Sequence, residues 1–317
     1  MTEPPAWEPP TGREPATGPA SGWGTAPGWS PQPSWSPPPP PAQPGVVPLR
    51  PLGVGEILDG AFRTVRRHPK ATLGLAALAT AVQLALSLLL TAGSGPDLVA
   101  SVQLRSGLPL RSGLSAGNLL SLPISAAIGG VLTALVSVIT SDAVLGRATG
   151  ALPAWRRVRP LLWRLLAVGV IVTVGPFLAL LLLVVPGVFL WGAWALAVPA
   201  LALEHTGVGG ALRRSWRLAV PDWWRVWGIR VLSVLLGGLV SLILTVPAIA
   251  YGAASLFSAN QTSGDIGVGP TVAIVLISAV ASVVVAPFLA AVLALLYIDR
   301  RMRAEGLDVT LARSLRP

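Results

Sequence analysis

Two histidines, thirteen carboxylates and no cysteine are the stock from which this 317-residue chain could build a reactive centre. Without cysteine there is no thiolate nucleophile, no disulfide and no Cys-ligated metal. His68 and His205 stand far apart in sequence. No HExxH, HxH, GxSxG or Walker pattern occurs, so metal hydrolysis, serine acyl transfer and nucleotide hydrolysis have no support. Glu204-His205 is the nearest approach to an acid–base pair. Adjacent residues on a helix end point in different directions, so it is not read as a dyad. The expectation is no catalytic residue, no metal and no cofactor.

Three acids stand out by position. Asp142, Glu204 and Asp299 each close an apolar stretch. A carboxylate at a helix C-terminus faces the negative end of the helix dipole, at a cost of a few tenths to about 1 kcal/mol. Each acid therefore calls for a cation. The expectation is a structural ion-pair collar, with Arg63, Arg156, Arg157, Arg213, Arg217, Arg300 and Arg301 as the pool of partners.

The elements that would carry these groups are membrane helices. Apolar stretches run over 71–92, 118–141, 165–185, 187–203, 231–254 and 269–298. About 20 apolar residues cross the roughly 30 Å hydrocarbon core. Hydrophobic residues make up 53% and charged residues 11% of the chain, against about 25% charge in a soluble domain. The net charge of +10 does not mark a nucleic-acid face, because the arginines flank the spans. Of the 23 basic residues, 21 fall on one side, and Arg105 and Arg111 fall on the other. Positive segments stay in the cytoplasm, which places both termini inside a bacterial inner membrane. No span is expected to hold a charge at mid-depth. No signal peptide is expected ahead of the first span, since no long apolar run begins before residue 70.

Residues 1–48 carry sixteen prolines, a Pro37–Pro41 run and four tryptophans. That composition cannot bury a core, so a disordered cytoplasmic tail is expected, open to a protein partner that reads polyproline. A six-span domain is expected over 49–303 and a short tail over 304–317.

Within 53–68, Val54, Ile57, Leu58, Ala61, Phe62 and Val65 mark one face of a surface helix that bends at His68-Pro69. GVGGALRRSWR at 207–217 repeats GVGEILDGAFR at 53–63, and GALPAWRR at 150–157 is a looser copy, one residue shorter. Each copy precedes an outgoing span, and each returning span ends at one of the three acids. The fold class expected is all-α, six transmembrane helices with short amphipathic cytoplasmic helices, in three pseudo-repeated hairpins. Pro186-Gly187 is expected to turn the third span into the fourth.

LRPLGVGEILDGAFR at 49–63, PALALEHTGVGGALRRSWRLAVPDWWRVWGI at 199–229 and YIDRRMRAEGLDVTLA at 297–312 resemble actinobacterial multi-pass proteins. Those are similar to the membrane domain of glycerophosphoryl diester phosphodiesterases. The resemblance implies the fold and the membrane location. Some relatives add a soluble (β/α)-barrel phosphodiesterase domain; none is expected in the 48 residues before or the 19 after the spans, so the activity is not implied. The function expected is a non-enzymatic anchoring, scaffolding or lipid-interacting module, with membrane lipids as partners. A small-solute or lipid transporter would need a polar cavity at mid-depth. A lipid-active enzyme would need Glu56, Asp59, Glu204, His205 and Asp299 in one pocket.

Overall fold

The computed structural model describes residues 45–48, 50–92, 116–257 and 268–305. The tail before residue 45, the loop with Arg105 and Arg111, and the C-terminal end with Arg313 and Arg316 lie outside the described residues. Among the described residues ten α-helices follow one another: α1 Val54–Arg67, α2 Pro69–Ala92, α3 Ala116–Val144, α4 Ala151–Val158, α5 Leu162–Leu182, α6 Val184–Ala193, α7 Ala197–Glu204, α8 Val208–Ala219, α9 Trp223–Phe257 and α10 Val268–Glu305. Six helical segments are long and apolar enough to cross a membrane, and no strand occurs among the described residues. The chain is an all-α, multi-pass membrane protein.

The sequence pattern accounts for the surface helices. α1, α4 and α8 each start from a glycine N-cap in the same extended geometry: Gly53 (φ −77°, ψ 164°), Gly150 (φ −80°, ψ 173°) and Gly207 (φ −76°, ψ 168°). Each ends close to a proline: Pro69 opens α2, and Pro160 and Pro221 sit in 3-10 turns before α5 and α9. Proline cannot continue a helix but tolerates a first turn, so it joins surface helix to span at a bend.

The buried stripe differs from the apolar one in α1. Ile57, Gly60, Ala61 and Thr64 face inward, whereas Val54 and Phe62 are exposed. Gly60 is small enough for Val47 and Leu295 to close on it. Counted from the cap, the fourth and eighth residues are buried in all three helices: Ile57 and Ala61, Ala154 and Val158, Ala211 and Ser215. The copies thus align without the one-residue gap read at 150–157, and Trp155 is no counterpart of Phe62.

α10 is the hub. It packs against α9, α3, α2 and α1, and Ala290–Ile298 is buried apart from part of Leu293. A helix apolar on every side belongs inside a bundle. α3 and α5 meet backbone to backbone: a Cβ on Gly169 would come within 2.7 Å of the Ala126 carbonyl oxygen, and one on Gly130 within 3.0 Å of Gly169 Cα. Small residues at such crossings let membrane helices approach closely. Leu235, Leu239 and Ile243 of α9 and Leu276 and Val280 of α10 remain exposed, as lipid-facing residues do.

Three expectations are corrected. The third span turns into the fourth at Leu183, in extended conformation, and Pro186-Gly187 lies in the first turn of α6. Proline is harmless there, and Gly187 lets α6 pack on the Leu180 backbone. The fourth span is not one helix: α6 and α7 are separated at Trp194–Leu196, and neither, at about 12–15 Å, crosses a bilayer alone. The buried Ser215 hydroxyl closes that gap, donating to the Ala193 carbonyl (2.7 Å) and accepting from Leu196 N–H (3.1 Å). The boundary at residue 48 also moves. Val46 and Val47 are buried, and Val46 N–H donates to the Ala143 carbonyl at the end of α3 (3.2 Å).

Candidate functional site: the charged collar and a lateral cavity

Each returning span ends at an acid, and each acid holds the next segment around the bundle. Asp142, at the end of α3, accepts from Arg157 Nη1 on α4 (2.9 Å) and from Thr149 Oγ1. Glu204, at the end of α7, accepts from Arg214 Nε (3.0 Å) and Nη2 (2.8 Å) on α8, and from the Tyr297 hydroxyl. Asp299, on α10, accepts from Leu52 N–H (2.8 Å) at the entry to α1, from Arg303 Nε (2.9 Å) and from Arg225 (3.4 Å). Asp142 and Glu204 therefore pin the surface helix of the next unit, and Asp299 pins the start of the first. Arg157 and Arg214 occupy the same place, seven residues past the cap glycine. In α1 that place is Gly60, and the backbone N–H of Leu52 serves Asp299 instead.

The cations differ in part from those expected. Arg157 and Arg301 reach a span-end acid, Arg301 at 3.6 Å from Glu204. Arg63 pairs with Asp59 on its own helix, because both sit on the outward face of α1. Arg300 turns to Asp222 and the Leu218 carbonyl, on the side of α10 that faces α8. Arg156, Arg213 and Arg217 make no ion pair among the described residues, because they flank the inward position on the solvent side. Arg214, Arg225, Arg303 and Tyr297 are partners that the sequence pattern did not single out. The signal that could have found Arg214 is its constant spacing from the cap glycine.

The carboxylates required for a lipid-active centre do not gather. Glu56 pairs with Arg50 (2.6 Å) and caps Gly53 N–H, while Asp59 pairs with Arg63. Glu204 and Asp299 belong to separate clusters. His205 serves the backbone as the left-handed C-cap of α7 (φ 55°). His68 caps α1, and burial, with the Arg67 charge beside it, pulls its pKa below the ordinary value. No group of three His, Cys, Asp or Glu is placed to hold a metal among the described residues.

A second site has no forerunner in the sequence pattern. A cavity of about 650 Å³ opens beside α5, α6 and α9, walled by Val170, Val174, Phe177 and Val188, with Leu122 and Pro123 of α3 at one end. Its volume is typical of small-molecule sites, about 300–1,000 Å³. Thr173, Trp191, Trp227 and Arg230 also line it. By sequence Arg230 falls among the arginines of the connection before the fifth span, yet it lies seven residues into α9, within an apolar span. It donates to the Trp191 carbonyl and stacks on the Trp191 ring at 4.1 Å. No carboxylate pairs with it among the described residues. Trp227 stacks on Trp223, and its buried indole N–H finds no acceptor among the described residues.

No curated protein and no solved structure matches the chain. Residues 52–299 match a family described as a domain of unknown function (DUF7847). The matched segment begins at Leu52 and ends at Asp299, the two residues whose hydrogen bond joins the start of α1 to the end of the last span. Since the match takes in all three hairpins and the three acids of the collar, the chain belongs to the DUF7847 family.

Proposed function

We propose that this protein is a non-enzymatic, lipid-interacting scaffold of a bacterial inner membrane, with both ends in the cytoplasm. The observation that supports this most is the outward face of the collar. Phe62, Trp155 and Trp216 are exposed there, next in sequence to Arg63, Arg156 and Arg217. Arg66 lies over the Phe62 ring at 5.7 Å. Aromatic rings beside cationic side chains suit the headgroup region of an anionic leaflet. The ion pairs beneath α4 and α8, and the Asp299 hydrogen bond at the start of α1, hold each helix at a fixed tilt, so that this face is presented rather than loosely tethered. Membrane lipids are then the first partners, and the proline-rich tail is left for a cytoplasmic protein.

Thermal unfolding in nanodiscs tests this reading. The protein should be more stable in phosphatidylglycerol than in phosphatidylcholine. A triple variant, Arg66→Gln, Arg156→Gln and Arg217→Gln, should lose that difference. Equal stability of the unaltered protein in both lipids would overturn the reading. Purified protein with divalent metals should also fail to hydrolyse glycerophosphodiesters. Turnover abolished by Glu204→Gln would establish an enzyme instead.

Transport has one observation in its favour, the broken span α6–α7, since interrupted helices often bind solutes. Here Ser215 takes up the freed backbone groups, and the break offers no open polar surface to a solute.

A further inference from the structure

We infer that the lateral cavity is a binding site for one anionic phospholipid, with its phosphate held by Arg230 and an acyl chain along the α5–α6 wall. This goes beyond the collar, which meets the leaflet as a surface and shares no residue with the cavity.

The charge balance of the cavity points to an anion. A guanidinium carries five N–H donors. Arg230 directs one contact to the Trp191 carbonyl and stacks on the Trp191 ring, and no acid balances its charge among the described residues. An arginine within a membrane helix is costly and ordinarily marks a functional site. The Trp191 and Trp227 rings line the cavity beside it. An unbalanced guanidinium at the end of a void suits a multidentate acceptor, and a phosphate offers several oxygens to its planar fork.

The rest of the cavity identifies what the phosphate is attached to. Apart from Thr173 and the Arg230 end, the wall is apolar, with Val170, Val174, Phe177 and Val188 in line along the helices. A free ion would leave that surface uncovered, whereas an acyl chain covers it. The depth agrees. Arg230 lies about 10 Å along α9 from Trp223, at 1.5 Å per residue. Trp223 and Trp224 mark that end of the helix, where interfacial aromatics belong. A headgroup drawn in past the tryptophans would set its phosphate near Arg230 and its chain in the hydrocarbon.

Native mass spectrometry of the full chain, released from phosphatidylglycerol–phosphatidylcholine nanodiscs, tests the site. The expected result is one retained phosphatidylglycerol per chain, favoured at least tenfold over phosphatidylcholine. Arg230→Gln should reduce retention about tenfold, and Arg230→Lys less, because it keeps a point charge. Thr173→Trp, which fills the cavity and leaves Arg230 in place, should also abolish retention. Because the two variants act at different places, a folding defect in one leaves the other informative. Arg147→Gln, outside both the collar and the cavity, should change nothing. Unchanged retention in Arg230→Gln and Thr173→Trp overturns the proposal, as does equal retention of phosphatidylcholine. Displacement of the lipid by millimolar inorganic phosphate would overturn the lipid assignment in favour of a simple anion site. The collar reading fails or stands separately, on the stability difference between lipids.

Discussion

Two arginines at equivalent positions do unequal work. Arg157 is 53% exposed where it meets Asp142, whereas Arg214 is 11% exposed between Glu204 and Glu305. Exposed pairs contribute about 0–1 kcal/mol, and hydrogen bonds to charged groups in shielded sites about 1.5–3 kcal/mol. Arg157→Gln should therefore shift the thermal midpoint little. Arg214→Gln should lower it clearly, because it leaves the Glu204 and Glu305 carboxylates to share Arg301 alone. Equal shifts would mean that burial does not set the strength of these pairs. Ser215 is a sharper case, since one hydroxyl serves both broken ends at Ala193 and Leu196. Ser215→Ala should cost about 1–3 kcal/mol, the usual penalty for stranding buried polar groups. If denaturation in detergent shows no loss, the break is held by packing alone.

Helices in this protein are fixed by their ends and by where their backbones touch. The contact of Gly169 with the Ala126 carbonyl leaves no room for a side chain. Gly169→Leu should destabilise by about 1–3 kcal/mol, as overpacking does, and should separate α3 from α5. Distance measurements between spin labels on those helices would read the separation, and an unchanged distance would refute the close crossing. Orientation belongs to the same scale, and its warrant is the sorting of arginines among the connections. Reporter fusions at Gly95 and Gly264 should report the outside, and those at Gly150 and the C-terminus the inside. One firm reversal would sink that assignment. An insertion between α5 and α6 belongs after Leu183, because Gly187 is packed on Leu180.

At the scale of the molecule, a ring closes. Asp142 holds α4, Glu204 holds α8, and Asp299 holds the start of α1. Residues 45–47 extend that closure, because Val47 lies against Gly60 and Val46 bonds to Ala143. Removing 1–44 should leave the thermal midpoint nearly unchanged, since that composition buries no core. Removing 1–47 should lower it, because two buried valines are lost at about 1.5–3 kcal/mol each as an upper bound. Equal stability of the two truncations would show that the valines carry no weight.

The six spans and the three surface helices were legible because hydropathy, proline and the cap glycines act over a few neighbouring residues. The acids were legible as groups in need of cations, since a helix dipole is a local field. The choice of cation was not. Arg213, Arg214 and Arg217 share one helix, and only its rotation against α7 and α10 decides that Arg214 turns inward. The break at Trp194–Leu196 carries no proline or glycine of its own, and it exists because Ser215 of another helix meets it. The setting of Arg230 was hidden for the same reason. By sequence it is one more arginine near a span end. The packing of α6 across α9 makes it the charged end of an apolar cavity. Patterns along the chain determine which segments enter the membrane, whereas contacts between segments distant in sequence decide which polar groups meet there.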